Sequence, residues 1–175
     1  MPASPLDLEL RLARPADHPA IAEVVAAAFG RRSDAALVEL LRGRGDALEQ
    51  VATRRGELLA HALFVPVELV GPRGTRPPLA LGLMAVAPAH QREGIGRAVV
   101  VAGLAECRRR DAGLVVVIGP GGFYGRCGFV PAEPHGLRSR WRVVPDDFRV
   151  VELHAGELAA ARGSVVRFVR EFSQL

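Results

Sequence analysis

A glycine-punctuated turn, Gln91-Arg-Glu-Gly-Ile-Gly96, stands between two apolar runs. Glycines at 94 and 96 can take positive φ and let a ligand come close to the backbone, and the open amides of a helix start, reinforced by the helix dipole, suit a phosphate. The chemistry on offer is anion binding. Two familiar phosphate loops do not fit it. A P-loop needs a lysine to reach the phosphates, and every one of the 23 basic residues of this chain is arginine. A dinucleotide fingerprint read from Gly94 puts Val99 where a small residue must let helix and strand pack closely, and no acid follows at a distance suited to a ribose. What is left is Gln-x-x-Gly-x-Gly between a strand and a helix.

A second glycine-rich stretch, Gly119 to Phe129, contains Tyr124. On residue type alone, that tyrosine reads as a half-buried ring packing near Phe123 and Phe129. His18, His90, His135 and His154 are scattered without metal spacing, and Cys107 and Cys127 form no ligand or redox pair. No metal site is expected.

These residues need elements to hold them. Leu79 to Val86 is apolar on both faces, as a buried strand is, and Arg97 to Arg110 is long enough for a helix. Leu114 to Ile118 follows as another apolar strand, so strand, helix and strand make a parallel unit. Upstream, Leu8 to Leu12 alternates as a first strand. Asp17 is placed to cap a helix whose Ile21, Val24, Val25, Ala28 and Phe29 share a face, with Gly30 ending it. Ser33 is expected to cap a second helix with Leu37, Leu40 and Leu41 inside. Ala47 to Thr53 and Leu58 to Val70 form a hairpin across Arg54-Arg-Gly-Glu57, and Pro66 demands a bulge or an edge. Gly71 to Pro78 is a loop. Phe148 to Leu153 is a late strand, and Val165 to Phe172 favours strand over helix. No repeat or linker supports a second domain, so residues 1–175 are expected to form one.

With 49% hydrophobic and 24% charged residues the chain falls in the globular range, and no apolar stretch is long and charge-free enough to cross a bilayer. The N-terminus lacks the basic start and apolar middle of a signal peptide, which places the protein in the cytoplasm. The net charge of +4 is a modest excess. Arg31-Arg32, Arg54-Arg55 and Arg108 to Arg110 are dispersed among acids with few aromatics to stack bases, which argues against a nucleic-acid partner.

The loop Gln91-Arg-Glu-Gly-Ile-Gly96 resembles the pyrophosphate loop of the acetyl-CoA-dependent N-acetyltransferases of the GNAT superfamily, Gln/Arg-x-x-Gly-x-Gly/Ala. Tyr124-Gly-Arg-Cys-Gly128-Phe129 is similar to the same family's tyrosine four residues before Gly-Phe. Ala28-Phe-Gly30, Ala60-His-Ala-Leu-Phe-Val-Pro66 and Phe123 to Phe129 look like its YhbS-like subgroup of small bacterial acetyltransferases, over roughly residues 8 to 170.

The resemblance implies an α/β (α+β) fold: a mixed, mostly antiparallel sheet with two splayed parallel central strands and helices on both faces. It implies acetyl-CoA as cosubstrate, no metal, and direct attack by an amine in a ternary complex. Met84, Ala85 and Val86 would hold the pantetheine arm through backbone bonds. Gln91, Arg92, Glu93, Gly94, Ile95, Gly96 and Arg97 would cradle the pyrophosphate. Tyr124 would act as general acid toward the CoA thiolate. Relatives place a glutamate base on the splayed strand, whereas Leu79 to Val86 contains no acid. His61 and Glu68 on the preceding strand are therefore the candidate bases, on opposite faces unless Pro66 changes the register. Where the family carries an asparagine or aspartate for pantetheine, this chain has Pro120. The partner is a small-molecule or protein amine, with a homodimer as the family expectation. The same features without chemistry describe an alternative, a CoA-binding sensor.

Overall fold

The computed structural model describes residues 7–71 and 74–174; Met1 to Leu6, and Pro72 and Arg73 of the expected loop, lie outside them. The alternating start condenses into β1 (Glu9–Leu12). After a single 3-10 turn comes α1 (His18–Phe29). Asp17 precedes that helix without capping it. Its carboxylate takes the Arg11 guanidinium at 2.7 and 2.9 Å and the Arg14 amide at 2.7 Å. The bond from Arg11, opposed by burial and helped by the Arg14 amide, lowers the Asp17 carboxyl to about 2. Gly30 at φ 70° ends α1 as expected. Ile21, Val24 and Val25 are buried, but Phe29, in the last turn, is exposed.

Helix α2 (Arg32–Arg42) begins two residues earlier than a cap at Ser33 predicts, with Arg31 in the cap position. Arg31 holds its first turn by pairing with the buried Asp34 at 3.1 Å, a contact between side chains that a cap preference does not reveal. Leu37, Val38 and Leu41 face inward, and Leu40 is 48% exposed.

Strands β2 (Leu48–Arg54) and β3 (Glu57–Pro66) make the expected antiparallel hairpin. Arg55 at φ 51° and Gly56 at φ 84° are successive left-handed residues, the signature of the turn whose twist matches paired strands. Pro66 ends β3, since it has no N–H for a ladder. The rest of the expected long strand separates as β4 (Glu68–Val70). Next come β5 (Leu79–Val86), α3 (Ile95–Arg109) and β6 (Leu114–Ile118). A short α4 (Gly121–Tyr124) leads to β7 (Val130–Pro131), β8 (Arg138–Ser139), β9 (Phe148–Glu152), α5 (Glu157–Ala161) and β10 (Val165–Arg167). The tail is strand only over those last three residues; a 3-10 turn, Arg170–Gln174, follows.

The described residues gather into two compact units. The first comprises the residues up to Phe64 together with Gly82–Gly103, and the second Val65–Leu81 together with Leu104–Gln174. The division falls inside β3, inside β5 and inside α3, so neither unit is continuous in sequence. Strand order is β1-β2-β3-β5 in the first and β5-β6-β9-β7 in the second, a mixed and mostly antiparallel sheet whose β5–β6 pair is parallel. In the second unit β4, β10 and β8 add a small sheet of their own.

Ile21, Val25, Leu41, Val51, Leu63 and Ile95 are fully or nearly fully buried in the first unit, and Leu114, Val115, Phe129 and Val150 in the second. In the middle of α3 a side chain on Gly103 would run into the Phe64 ring, so the glycine lets helix and strand approach closely.

Candidate functional site

The parallel ladder between β5 and β6 consists of Leu79 with Val115 and Ala80 with Val116, and goes no further. Beyond it, the Ala87 amide donates to the Leu59 carbonyl on β3 at 2.8 Å. Backbone groups alternate in direction along a strand. Ala85 therefore turns its amide and carbonyl toward β3, while Met84 and Val86 turn theirs away. Of the three residues expected to hold pantetheine, these two offer backbone groups to something other than β3. The Val86 carbonyl is already engaged on one side by the Gln91 side-chain amide, at 3.2 Å.

That bond fastens the start of the glycine loop to the end of β5. Arg92 and Gly94 adopt φ 66° and 85°, both left-handed. Alternation of ordinary and left-handed residues curls backbone N–H groups into an anion-binding concavity. Gly96 departs from expectation: it is buried inside the first turn of α3 and does not take positive φ, whereas Arg92, a non-glycine, does. The Ala98 amide bonds the Gly94 carbonyl at 3.1 Å, so the amides of Ile95 and Gly96 precede the first intrahelical bond. Ile95 anchors the loop in the core at 1% exposure, and Arg92 and Arg97 are exposed.

Glu93 is engaged by neighbouring side chains. It accepts from His90 at 3.2 Å and from both Arg54 terminal nitrogens at 3.2 Å. The His90 bond first, then those from Arg54, hold its carboxyl below the usual range. His90 thus braces the loop locally, three residues away, and Arg54 by a contact 39 residues distant in sequence that no local pattern announces.

His61 and Glu68 stand in different elements. His61, on β3, is fully buried, with Nε2 2.7 Å from Glu49 Oε2. Glu49 also takes the Arg42 guanidinium at 2.6 and 2.9 Å. Burial alone would raise the Glu49 carboxyl, but the bonds from His61 and Arg42 outweigh it and bring the group down to about 2. Burial lowers the His61 pKa, against the opposing pull of Glu49. A carboxylate only accepts, so Nε2 carries the proton and the neutral ring is locked in the core. Glu68, on β4, is exposed and paired with Arg167 at 3.0 Å.

In the second unit, Tyr124 ends α4 with 8% exposure. Its ring meets Phe123 and Phe129 edge to face, with centroids 4.9 and 5.7 Å apart. Burial, with a smaller contribution from Cys127, raises the phenol to about 12. The hydroxyl forms no hydrogen bond among the described residues. Two residues that the sequence did not single out support it. Gly119 lacks the Cβ that would strike the tyrosine ring. Arg149, itself buried, donates to the Asp146 carbonyl at 2.9 Å and to the Phe129 carbonyl at 3.3 Å, which braces the far end of the loop. Among the described residues no group of three or more His, Cys, Asp or Glu is arranged to hold a metal, and no helix is long and apolar enough to cross a membrane.

Comparison with known proteins places the family. The uncharacterized N-acetyltransferase YhbS of Escherichia coli strain K12 is 30% identical over 158 residues, which cover 89% of this chain and 93% of that protein. The crystal structure of E. coli YhbS in complex with CoA superposes with a TM-score of 0.88 at 28% identity, covering 97% of this chain and 94% of the other. A GNAT family acetyltransferase from Brucella melitensis in complex with acetyl-CoA gives 0.75 at 27% identity, with 94% and 97% covered. Residues 9–132, well over half the chain and including both the glycine loop and Tyr124, match the acetyltransferase (GNAT) domain family. The chain belongs to the GNAT acetyltransferases.

Proposed function

We propose that this protein is a cytoplasmic, acetyl-CoA-dependent N-acetyltransferase that passes acetyl to an amine by direct attack in a ternary complex. The observation that carries this reading is the loop conformation. Left-handed Arg92 and Gly94, tied back to β5 by Gln91, curl the backbone ahead of a 15-residue helix. That form suits a pyrophosphate, with Arg92 and Arg97 adding charge at its rim. The outward-turned backbone groups of Met84 and Val86 suit the pantetheine amides.

The amine nitrogen bonds to the thioester carbon, with backbone N–H at the end of β5 stabilising the oxyanion. The C–S bond then breaks, and the sulfur takes the Tyr124 phenolic proton. The proton given up by the nitrogen restores the phenol, leaving an amide and CoA thiol. Locked against Glu49, His61 is a core residue in this scheme, and water carries the first amine proton away.

A second reading, a CoA-binding sensor, draws on the absence of an acid from β5 and the burial of His61. Calorimetric titration with acetyl-CoA, followed by thiol release with a panel of amines, separates the two. Binding with amine-dependent release supports the enzyme. Binding without release from any amine supports the sensor, and no binding overturns both.

A further inference from the structure

The second unit contains a cavity of about 190 Å³ in the stretch after Pro131. Leu137 and Phe148, both buried, and the ring of Trp141 line its apolar part, and Arg138, Arg142 and Glu133 contribute its charges. Trp141 is held in place by stacking on Phe168, with centroids 4.6 Å apart and planes at 18°. The volume is that of a side-chain-sized group, well below a pocket of several hundred Å³ that buries a drug-sized ligand.

Neither guanidinium of the lining has a carboxylate partner among the described residues. Arg76, Arg149 and Arg167 each bind a carboxylate, whereas neither Arg138 nor Arg142 makes an ion pair or side-chain hydrogen bond among the described residues. Two unpaired guanidiniums against one carboxylate leave the lining positive. Planar guanidinium is matched to carboxylate, which it can grip with two parallel bonds.

The cavity is also tied to the tyrosine loop. Phe148 pairs with Ile118 across β6 and β9. The next residue after β6, Gly119, donates its amide to the Asp147 carbonyl at 2.9 Å, and its open side is filled by the Tyr124 ring. Cavity and tyrosine thus share one end of the β6–β9 pair.

We propose that this cavity is the acceptor subsite, selecting small amines that carry a carboxylate beside an apolar group. The carboxylate lies on Arg138 and Arg142, and the apolar group lies against Leu137, Phe148 and Trp141. This assignment rests on the acetyltransferase reading. The competing source of an anion is CoA itself, whose phosphates have the same appetite for arginine.

The test uses the full chain saturated with CoA and titrated with N-acetyl-leucine or N-acetyl-leucinamide, product-like probes that differ in the charge. Wild type is expected to prefer the acid by about tenfold or more, the scale of a hydrogen bond to a charged group. In the double substitution Arg138→Gln, Arg142→Gln, at exposed positions the fold does not depend on, that preference collapses while acetyl-CoA affinity stays as it was. Equal binding of acid and amide by wild type overturns the proposal. So does a preference that survives the double substitution, or a loss that falls on acetyl-CoA instead. If no amine releases CoA, the enzyme reading fails, and the probe titration still decides what the cavity binds.

Discussion

The Tyr124 ring occupies the space that a side chain on Gly119 would need. The ring is therefore positioned by what the neighbouring residue lacks. Gly119→Ala is expected to push the phenol aside and lower kcat by about a hundredfold, the scale of a 1 Å misplacement. Tyr124→Phe is expected to lower kcat by about 10²-fold or more, as loss of a positioned acid does. Calorimetry should find acetyl-CoA affinity nearly intact in both. Full turnover in the phenylalanine variant would remove the tyrosine from the mechanism.

The pH profile gives an independent check. Burial lifts the Tyr124 phenol to about 12, so it stays protonated wherever the enzyme is assayed. For an alkyl amine with a pKa of about 10, kcat/KM should rise with pH as free amine accumulates. No falling limb from the phenol should appear before about 12. The phenylalanine variant should keep the rise at a lower level. A falling limb near 8 or 9 in wild type, absent from the variant, would mean the phenol ionises far more easily than its burial implies.

The loop makes a prediction about two adjacent backbones. Gly94→Ala forces a Cβ into φ 85°, at a cost of about 1–2 kcal/mol, and should weaken acetyl-CoA binding. Arg92→Gly relieves the left-handed strain already present at φ 66° and removes one charge. It should therefore raise thermal stability while lowering affinity by no more than a single charge-assisted contact. Differential scanning calorimetry and acetyl-CoA titration of both variants read the two effects separately. Equal affinity in Gly94→Ala would count against the concavity.

The buried group of Arg42, Glu49 and His61 predicts acid sensitivity. Both titrating members have folded-state pKa values below their unfolded ones. Each therefore contributes stability above its unfolded value and loses it as pH falls. His61 contributes fully above about 6.5 and progressively less below. Glu49 follows from about 4.5 toward about 2. Urea midpoints should drop between pH 7 and pH 5, and again below pH 4.5. Glu49→Gln should cost about 2 kcal/mol at pH 7 and flatten the lower step. Turnover per folded molecule should be unchanged, since the group lies in the core; a loss of turnover without a loss of stability would return His61 to the chemistry.

Much of this was legible in the sequence where the cause is local. The both-faces-apolar run gave β5 its bounds, and the Arg55-Gly56 turn gave the hairpin. Gly30 ended α1 for the reason its lack of a side chain suggests. The misreadings share a different origin. Asp17 and Ser33 have capping side chains, but Arg11 and Arg31 supply competing or substitute partners. Gly96 was grouped with Gly94 by spacing, although only Gly94 and, unexpectedly, Arg92 need the left-handed backbone. At the site, Gly119 and Arg149 matter through contacts with Tyr124 and the loop ending at Phe129, formed only when distant residues meet. Glu49 was passed over because its partner His61 is twelve residues away, across a hairpin whose register the sequence does not state.

The thiols have a chemical consequence. Cys107 is fully buried, and burial pushes its thiol up to about 12; Cys127 is 7% exposed. With no lysine anywhere in the chain, the surface carries neither a side-chain amine nor a ready thiolate for a high-energy thioester to label by accident. Incubation with radiolabelled acetyl-CoA should therefore leave the side chains unmarked, so acetyl-CoA can be held at high concentration without side-chain self-modification.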